Sequence, residues 1–122
     1  FSMIHLSGLG IAPIYGAGLL VSIATTATTI TSYTPTSSTG QFFTVKWVLS
    51  ATAAATPTLT LTFTDPKAGA QTITLYNTAM TANTVAQGTY VLVATSATAI
   101  TVSALSTVAS DIYASATISE EQ

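Results

Sequence analysis

The sequence predicts an all-β protein: an antiparallel β-sandwich, jelly-roll-like, of seven to eight strands, preceded by an extended N-terminal arm. Three observations lead there. Residues Thr58 to Thr64 read Thr-Leu-Thr-Leu-Thr-Phe-Thr, a strict alternation that fits a strand with one buried and one wet face. After Ile23 no apolar period of about 3.6 residues persists for three turns, so amphipathic helices are not expected. The alternating runs are rich in Thr, Val and Ile, whose branched Cβ favours extended backbone, and Gly, Pro, Asn and Ser clusters punctuate them. A jelly roll is the form of sandwich that eight such strands permit.

Residues 1–18 form the arm and residues 19–122 the sandwich domain. The arm opens Phe-Ser-Met, which leaves the nature of the N-terminus open. Ile4 to Ile23 carries no formal charge and matches the roughly 20 residues of a membrane span. Gly8, Gly10, Gly16, Gly18 and Pro13 oppose a continuous helix, whether spanning or pilin-like, and no basic flank marks a signal peptide. No membrane span is expected. Ile4, Leu6, Leu9, Ile11, Ile14 and Tyr15 are nevertheless too apolar to be left in water, so the arm is expected to become ordered against a partner surface.

Leu19 to Ile23 and Thr28 to Tyr33 read as strands, closed by Pro35 and the Ser-Ser-Thr-Gly turn that ends at Gly40. In Gln41 to Ser50, Phe43, Val45, Trp47 and Leu49 share one face, and Phe42, Thr44, Lys46, Val48 and Ser50 the other. The first set is the inner face, because an inward Lys46 would need a partner that the chain scarcely offers. Thr58 to Thr64 follows with Leu59, Leu61 and Phe63 inward. Asp65-Pro66-Lys67-Ala68-Gly69 then presets a hairpin to Gln71 to Tyr76, which points Ile73 and Leu75 inward. Asn77 to Gly88 reads as a polar connection between sheets that ends at Gly88. Thr89 to Thr95, Ala99 to Leu105 and Ile112 to Ser119 complete the strands, with Ile100, Val102, Ile112, Ala114, Ala116 and Ile118 inward.

Charge is the other informative property. Lys46, Lys67, Asp65, Asp111, Glu120 and Glu121 are the only charged residues, 5% of the chain where a globular domain carries about a quarter. Two basic residues cannot neutralise a run of phosphates, so nucleic acid is not an expected partner. Threonine occupies outward positions where a freely soluble protein places Lys or Glu. A polar but nearly uncharged surface suits a subunit that packs against copies of itself or a larger assembly.

Several segments resemble a set of small Thr-rich β-sandwich proteins from tailed phages and prophages. They are Pro13-Ile14-Tyr15-Gly16, Tyr33-Thr34-Pro35-Thr36, Thr58 to Asp65, Ala70-Gln71-Thr72-Ile73-Thr74-Leu75, and Ile112-Tyr113-Ala114-Ser115-Ala116-Thr117-Ile118. The resemblance covers residues 13–119. It implies a virion-associated structural protein, a capsid decoration or head-fibre component, usually a homo-oligomer.

Candidate chemistry is sparse. His5 is the only histidine and no cysteine is present, so no metal site and no cofactor are expected. Asp65 fits a turn-stabilising role better than a calcium site shared with Asn77 or Asp111, and Asp111 reads as a loop carboxylate. No nucleophile elbow accompanies the serines, and Asp65 with Asp111 is the sole mid-chain carboxylate pair, so neither a Ser-His-Asp triad nor glycosidase chemistry is supported. Trp47 is assigned to the core, and Tyr90 and Tyr113 to exposed or interfacial contacts. Outward Phe42 and Val48 mark the best candidate for an intersubunit patch.

The expected function is therefore a non-enzymatic structural protein of a phage virion, a capsid decoration or cement protein or another head-surface component. Its expected partners are its own copies, with a trimer favoured, and the major capsid protein or another virion surface. The expected location is the virion. The alternative is a subunit of an extracellular filament or adhesin at the cell surface, joined through the N-terminal arm, with a carbohydrate-binding module as a third option.

Overall fold

A computed structural model describes residues 14–15 and 19–121. These residues form nine strands: β1 (Ile14–Tyr15), β2 (Val21–Ser22), β3 (Thr28–Tyr33), β4 (Gln41–Ala51), β5 (Pro57–Asp65), β6 (Gly69–Tyr76), β7 (Thr84–Ala94), β8 (Ile100–Ser106) and β9 (Ile112–Glu120). Among the described residues no helix is long and apolar enough to cross a membrane.

Every strand pairing is antiparallel. One sheet runs β1-β9-β4-β7, with β2 also paired to β9; the other runs β3-β8-β5-β6. Because β1 and β2 share one position beside β9, nine strands fill eight places. From β2 onward consecutive strands alternate between the sheets except at the β5–β6 hairpin, and this interleaving is the expected jelly roll.

Alternation builds the core. Phe43, Val45, Trp47 and Leu49 of β4 are buried, and face Leu59, Leu61 and Phe63 of β5 and Ile100 and Val102 of β8 across the sandwich. Ile112, Ala114, Ala116 and Ile118 of β9 complete the inner layer beside β4, while Ile73 and Leu75 pack against it half-buried. The inward assignments of the sequence hold on all of these strands.

The β5–β6 hairpin shows how local chemistry sets register. Asp65 Oδ1 accepts hydrogen bonds from the backbone N–H groups of Lys67 and Ala68, both at 2.8 Å, so its side chain ties the turn as an Asx residue. Gly69 takes a φ of 80°, which an L side chain resists, and pairs with Asp65.

The structure corrects the sequence at four places. Of Leu19 to Ile23, only Val21 and Ser22 form a strand, although Ile23 is buried and its N–H bonds to the Ile112 carbonyl at 2.9 Å. Strand pairing begins earlier than Leu19, because Ile14 and Tyr15 pair with Ser119 and Ile118. The connection after β6 is shorter than expected, since β7 starts at Thr84 and Gly88 lies inside it. Finally, Tyr90 points inward opposite Val45 and packs near Phe63, with ring centroids 6.5 Å apart.

Gly88 has a physical reason to be where it is. Its β4 partner is Trp47, and a Cβ at position 88 would lie 2.5 Å from Trp47 Cζ2. The glycine leaves room for the indole, and does not end the connection.

Candidate assembly surface

The two outer faces of the sandwich differ in chemistry. Across the four-stranded sheet the register lines up Ser32, Thr101, Thr62 and Thr72 in one row. A second row holds Ser103, Thr60 and Thr74. This face is a carpet of hydroxyls, some of them paired with each other, as in Ser32 Oγ to Thr101 Oγ1 at 3.2 Å. It presents little apolar surface and no charge.

The outer face of the five-stranded sheet is studded with apolar side chains. Phe42 is 58% exposed on β4, and Val48 37%, both pointing outward as the sequence indicated. Ile14 on β1 is exposed and shares this face with Thr44 and Val91, because Ile14 pairs with Ser119, Ser119 with Thr44, and Thr44 with Val91. Val91 is thus one register step from Phe42, whose own partner is Val93. Ile14, Phe42 and Val91 therefore cluster at one end of the sheet.

Val48 lies towards the other end with Val85, which projects from β7 opposite Ser50. Between the two groups lies a shallow hollow of about 240 Å³, lined by Lys46, Val48, Gln87, Thr89, Ser115 and Thr117. Lys46 is exposed there and is the only cation on the face among the described residues. Val85 and Val91, 66% and 59% exposed, were not among the residues expected from sequence. The signal was present in the alternation Val85, Gln87, Thr89, Val91, Val93, but assigning residues up to Gly88 to a connection hid half of it.

Tyr15 has a different role from Ile14. Its ring stacks on Tyr33 of the opposite sheet with centroids 3.6 Å apart and planes 10° from parallel, and Tyr33 in turn lies 5.9 Å from Phe43. The Tyr15 hydroxyl donates to Glu120 Oε1 at 3.2 Å, while Gln41 Nε2 donates to Glu120 Oε2 at 2.8 Å. Contact with Tyr33, then burial and the Glu120 carboxylate, push the Tyr15 pKa above the ordinary tyrosine range. Tyr15 is therefore a neutral clasp between the two sheets. Ile4, Leu6, Leu9 and Ile11, together with His5, lie outside the described residues.

The remaining candidates behave as local structure. Two backbone donors, Ala68 N–H and then Lys67 N–H, hold the Asp65 pKa below the usual carboxylate range. The Asp111 carbonyl accepts from Thr52 N–H at 2.8 Å, anchoring the loop before β9. Trp47 is 7% exposed and packs 5.7 Å from Tyr76. Among the described residues no three His, Asp or Glu side chains lie close enough to hold a metal ion.

No family model matches the chain, and no curated protein matches it. Solved structures of infectious bursal disease virus share its fold. A chain of the T13 viral particle aligns with a TM-score of 0.59 and 11% identity, over 89% of this chain and 30% of that one. A chain of the Gx strain aligns with a TM-score of 0.56 and 14% identity, over 89% of this chain and 32% of that one. The present chain thus spans about a third of the length of the viral capsid chains that it matches. At such identity the likeness concerns the fold: this is a viral-capsid-like β-sandwich. It is a likeness to the capsid proteins of an animal virus, not to the Thr-rich proteins of tailed phages specifically.

Proposed function

We propose that the chain is a non-enzymatic structural protein of a virion, a jelly-roll subunit that self-associates and attaches to a capsid through the outer face of its five-stranded sheet. The observation that carries this reading is the asymmetry of the two faces. An apolar set of Ile14, Phe42, Val48, Val85 and Val91 is gathered on one face, and hydroxyls cover the other. An exposed apolar cluster on an otherwise uncharged protein costs solubility unless something covers it. The capsid-like fold supports a partner of that kind, and the decoration, cement or other head-surface role beside a major capsid protein is proposed from the sequence resemblance to tailed-phage proteins alone.

The arm contributes to the same reading. Ile14 joins the apolar face, and we propose from the sequence that the apolar residues preceding it, Ile4, Leu6, Leu9 and Ile11, extend the contact onto a neighbouring subunit or the capsid. The test is size exclusion with light scattering, followed by negative-stain imaging of the purified chain with and without capsids. Phe42→Ser is expected to weaken association and capsid binding while leaving the strand-rich circular dichroism spectrum unchanged. A micromolar monomer that ignores capsids removes the reading. Long fibres in place of discrete particles transfer it to the filament subunit.

A further inference from the structure

The sandwich has two sides where the sheets part, and they are finished differently. On one side, β1 and β2 are two residues each, β3 carries a register irregularity between Thr29 and Thr31, and the Tyr15–Tyr33 stack joins the sheets. These are the devices by which proteins blunt a strand edge: short strands, bulges and cover. On the other side the edges are β6 and β7. β6 is interrupted by an irregularity opposite Leu59 and Thr60, and its outward residues are Ala70, Thr72 and Thr74. β7 has no such device. It is eleven residues long, pairs with β4 in unbroken register, contains neither proline nor charge, and among the described residues pairs on one side only.

The core also emerges on this side. Ala86 and Tyr90 of β7, with Ile73 and Leu75 of β6, face inward yet stay half-buried, whereas their counterparts on β4 and β9 are buried. We propose that β7 is an interface strand that pairs antiparallel with β7 of a second copy about a two-fold axis at Gly88, joining two five-stranded sheets into one. This rests on the self-association in the function proposed above and adds a strand edge to the apolar face named there.

The occupant follows from the sequence of the strand. In an isologous interface each residue near the axis meets its own copy or a symmetric equivalent, so a charge there would meet itself. β7 carries none. Val85 and Val91 stand three residues to either side of Gly88 and are the most exposed side chains of large apolar type on the strand. Pairing about Gly88 sets Val85 opposite the partner's Val91, and Val91 opposite the partner's Val85, while Gln87 meets the partner's Thr89. All of these lie on the outer face. Branched apolar pairs across strands are favourable contacts.

The size of the contact fits a reversible dimer. Eleven residues at about 3.4 Å each give an edge of roughly 37 Å, and the sheets are packed about 10 Å apart. With side chains included, the side offers on the order of 500 Å² per partner, near the lower bound for specific interfaces. The pair is therefore expected to form at micromolar concentration and dissociate on dilution.

Disulfide trapping tests the pairing cleanly because the chain has no cysteine. Single variants Val85→Cys and Val91→Cys are oxidised alone and as a mixture of the two full-length proteins. Cross-strand partners sit within disulfide reach, whereas Val85 and the partner's Val85 are about 20 Å apart in this register. The mixture is expected to give the mixed dimer at least tenfold faster than either variant alone. V85K/V91K, which changes only exposed positions, is expected to abolish the dimer in light scattering with a melting temperature within a few degrees of the parent. Equal cross-linking by one variant alone overturns the register. Oligomers that persist in V85K/V91K overturn the edge pairing and leave Ile14, Phe42 and Val48 as the apolar contacts of assembly, whereas a parent chain that is monomeric yet binds capsids overturns the pairing and leaves only capsid attachment through the apolar face.

Discussion

One missing methyl group governs how β4 and β7 lie together. Trp47 and Gly88 are cross-strand partners, and a Cβ at 88 would come within 2.5 Å of Cζ2 and 2.7 Å of Cε2 of the indole. Both strands are held in an eleven-pair ladder, so neither can retreat without giving up hydrogen bonds. Gly88→Ala is expected to destabilise the fold by about 1–3 kcal/mol through overpacking, and Trp47→Ala by about 3–5 kcal/mol through the cavity. In a Trp47→Phe background the cost of Gly88→Ala is expected to shrink, because the two residues occupy one space; urea unfolding of the four proteins measures this coupling. The sequence put Trp47 in the core by alternation, but the ring that needs Gly88 is forty-one positions away. Such a pairing is set by register, which one strand alone does not encode.

Asp65 offers a second residue-scale test, with a sign fixed by its hydrogen bonds. The folded pKa is lowered by the Ala68 and Lys67 N–H groups, so the folded state prefers the carboxylate more than the unfolded chain does. Its stabilising contribution is present above the unfolded value of 3.8 and disappears as the pH falls through the lower folded value. Melting temperatures of the parent and Asp65→Ala are expected to differ at neutral pH and converge in acid. A gap that persists unchanged at pH 2 assigns the effect to something other than the carboxylate. This turn was legible in advance because Asx chemistry acts over three residues.

At the scale of elements, legibility follows how much of an element's environment is local. β4, β5 and β9 declare themselves by strict alternation, and the structure buries the residues that alternation selects. β1 and β2 have no such pattern. Two residues each, they exist because β9 offers them an edge. Their contributions can be separated by truncation. Removing residues 1–12 leaves Ile14, Tyr15 and every described strand in place, so folding is expected to survive while assembly weakens. Removing residues 1–18 also deletes the Tyr15–Tyr33 stack and the Tyr15 bond to Glu120, and is expected to lower the melting temperature further. Identical melting curves for the two truncations contradict the clasp assigned to Tyr15. The candidate surface divides along the same line: Phe42 and Val48 were found from β4 alone, while Val85 and Val91 acquire meaning only once β7 is known to be an edge.

For the molecule as a whole, the decisive property is its lack of charge. Six charged residues give a net charge of −2, and two of the carboxylates, Glu120 and Glu121, already accept hydrogen bonds from Gln41, Tyr15 and Thr44 within the sandwich. Little electrostatic field remains to keep copies apart or to steer a partner. In the proposed assembly the driving forces must then be apolar burial and strand pairing, and those forces respond to salt differently from ion pairs. Contacts between exposed charges are screened over a Debye length that shrinks from about 10 Å at 0.1 M to about 3 Å at 1 M salt. Apolar burial is unaffected by that screening and strengthens in salts excluded from the protein surface. Self-association measured by light scattering across this range is therefore expected to stay constant in sodium chloride and to tighten in ammonium sulfate. Dissociation on raising sodium chloride to 1 M places Lys46, Lys67 or the carboxylates at the interface and overturns an apolar mode of assembly.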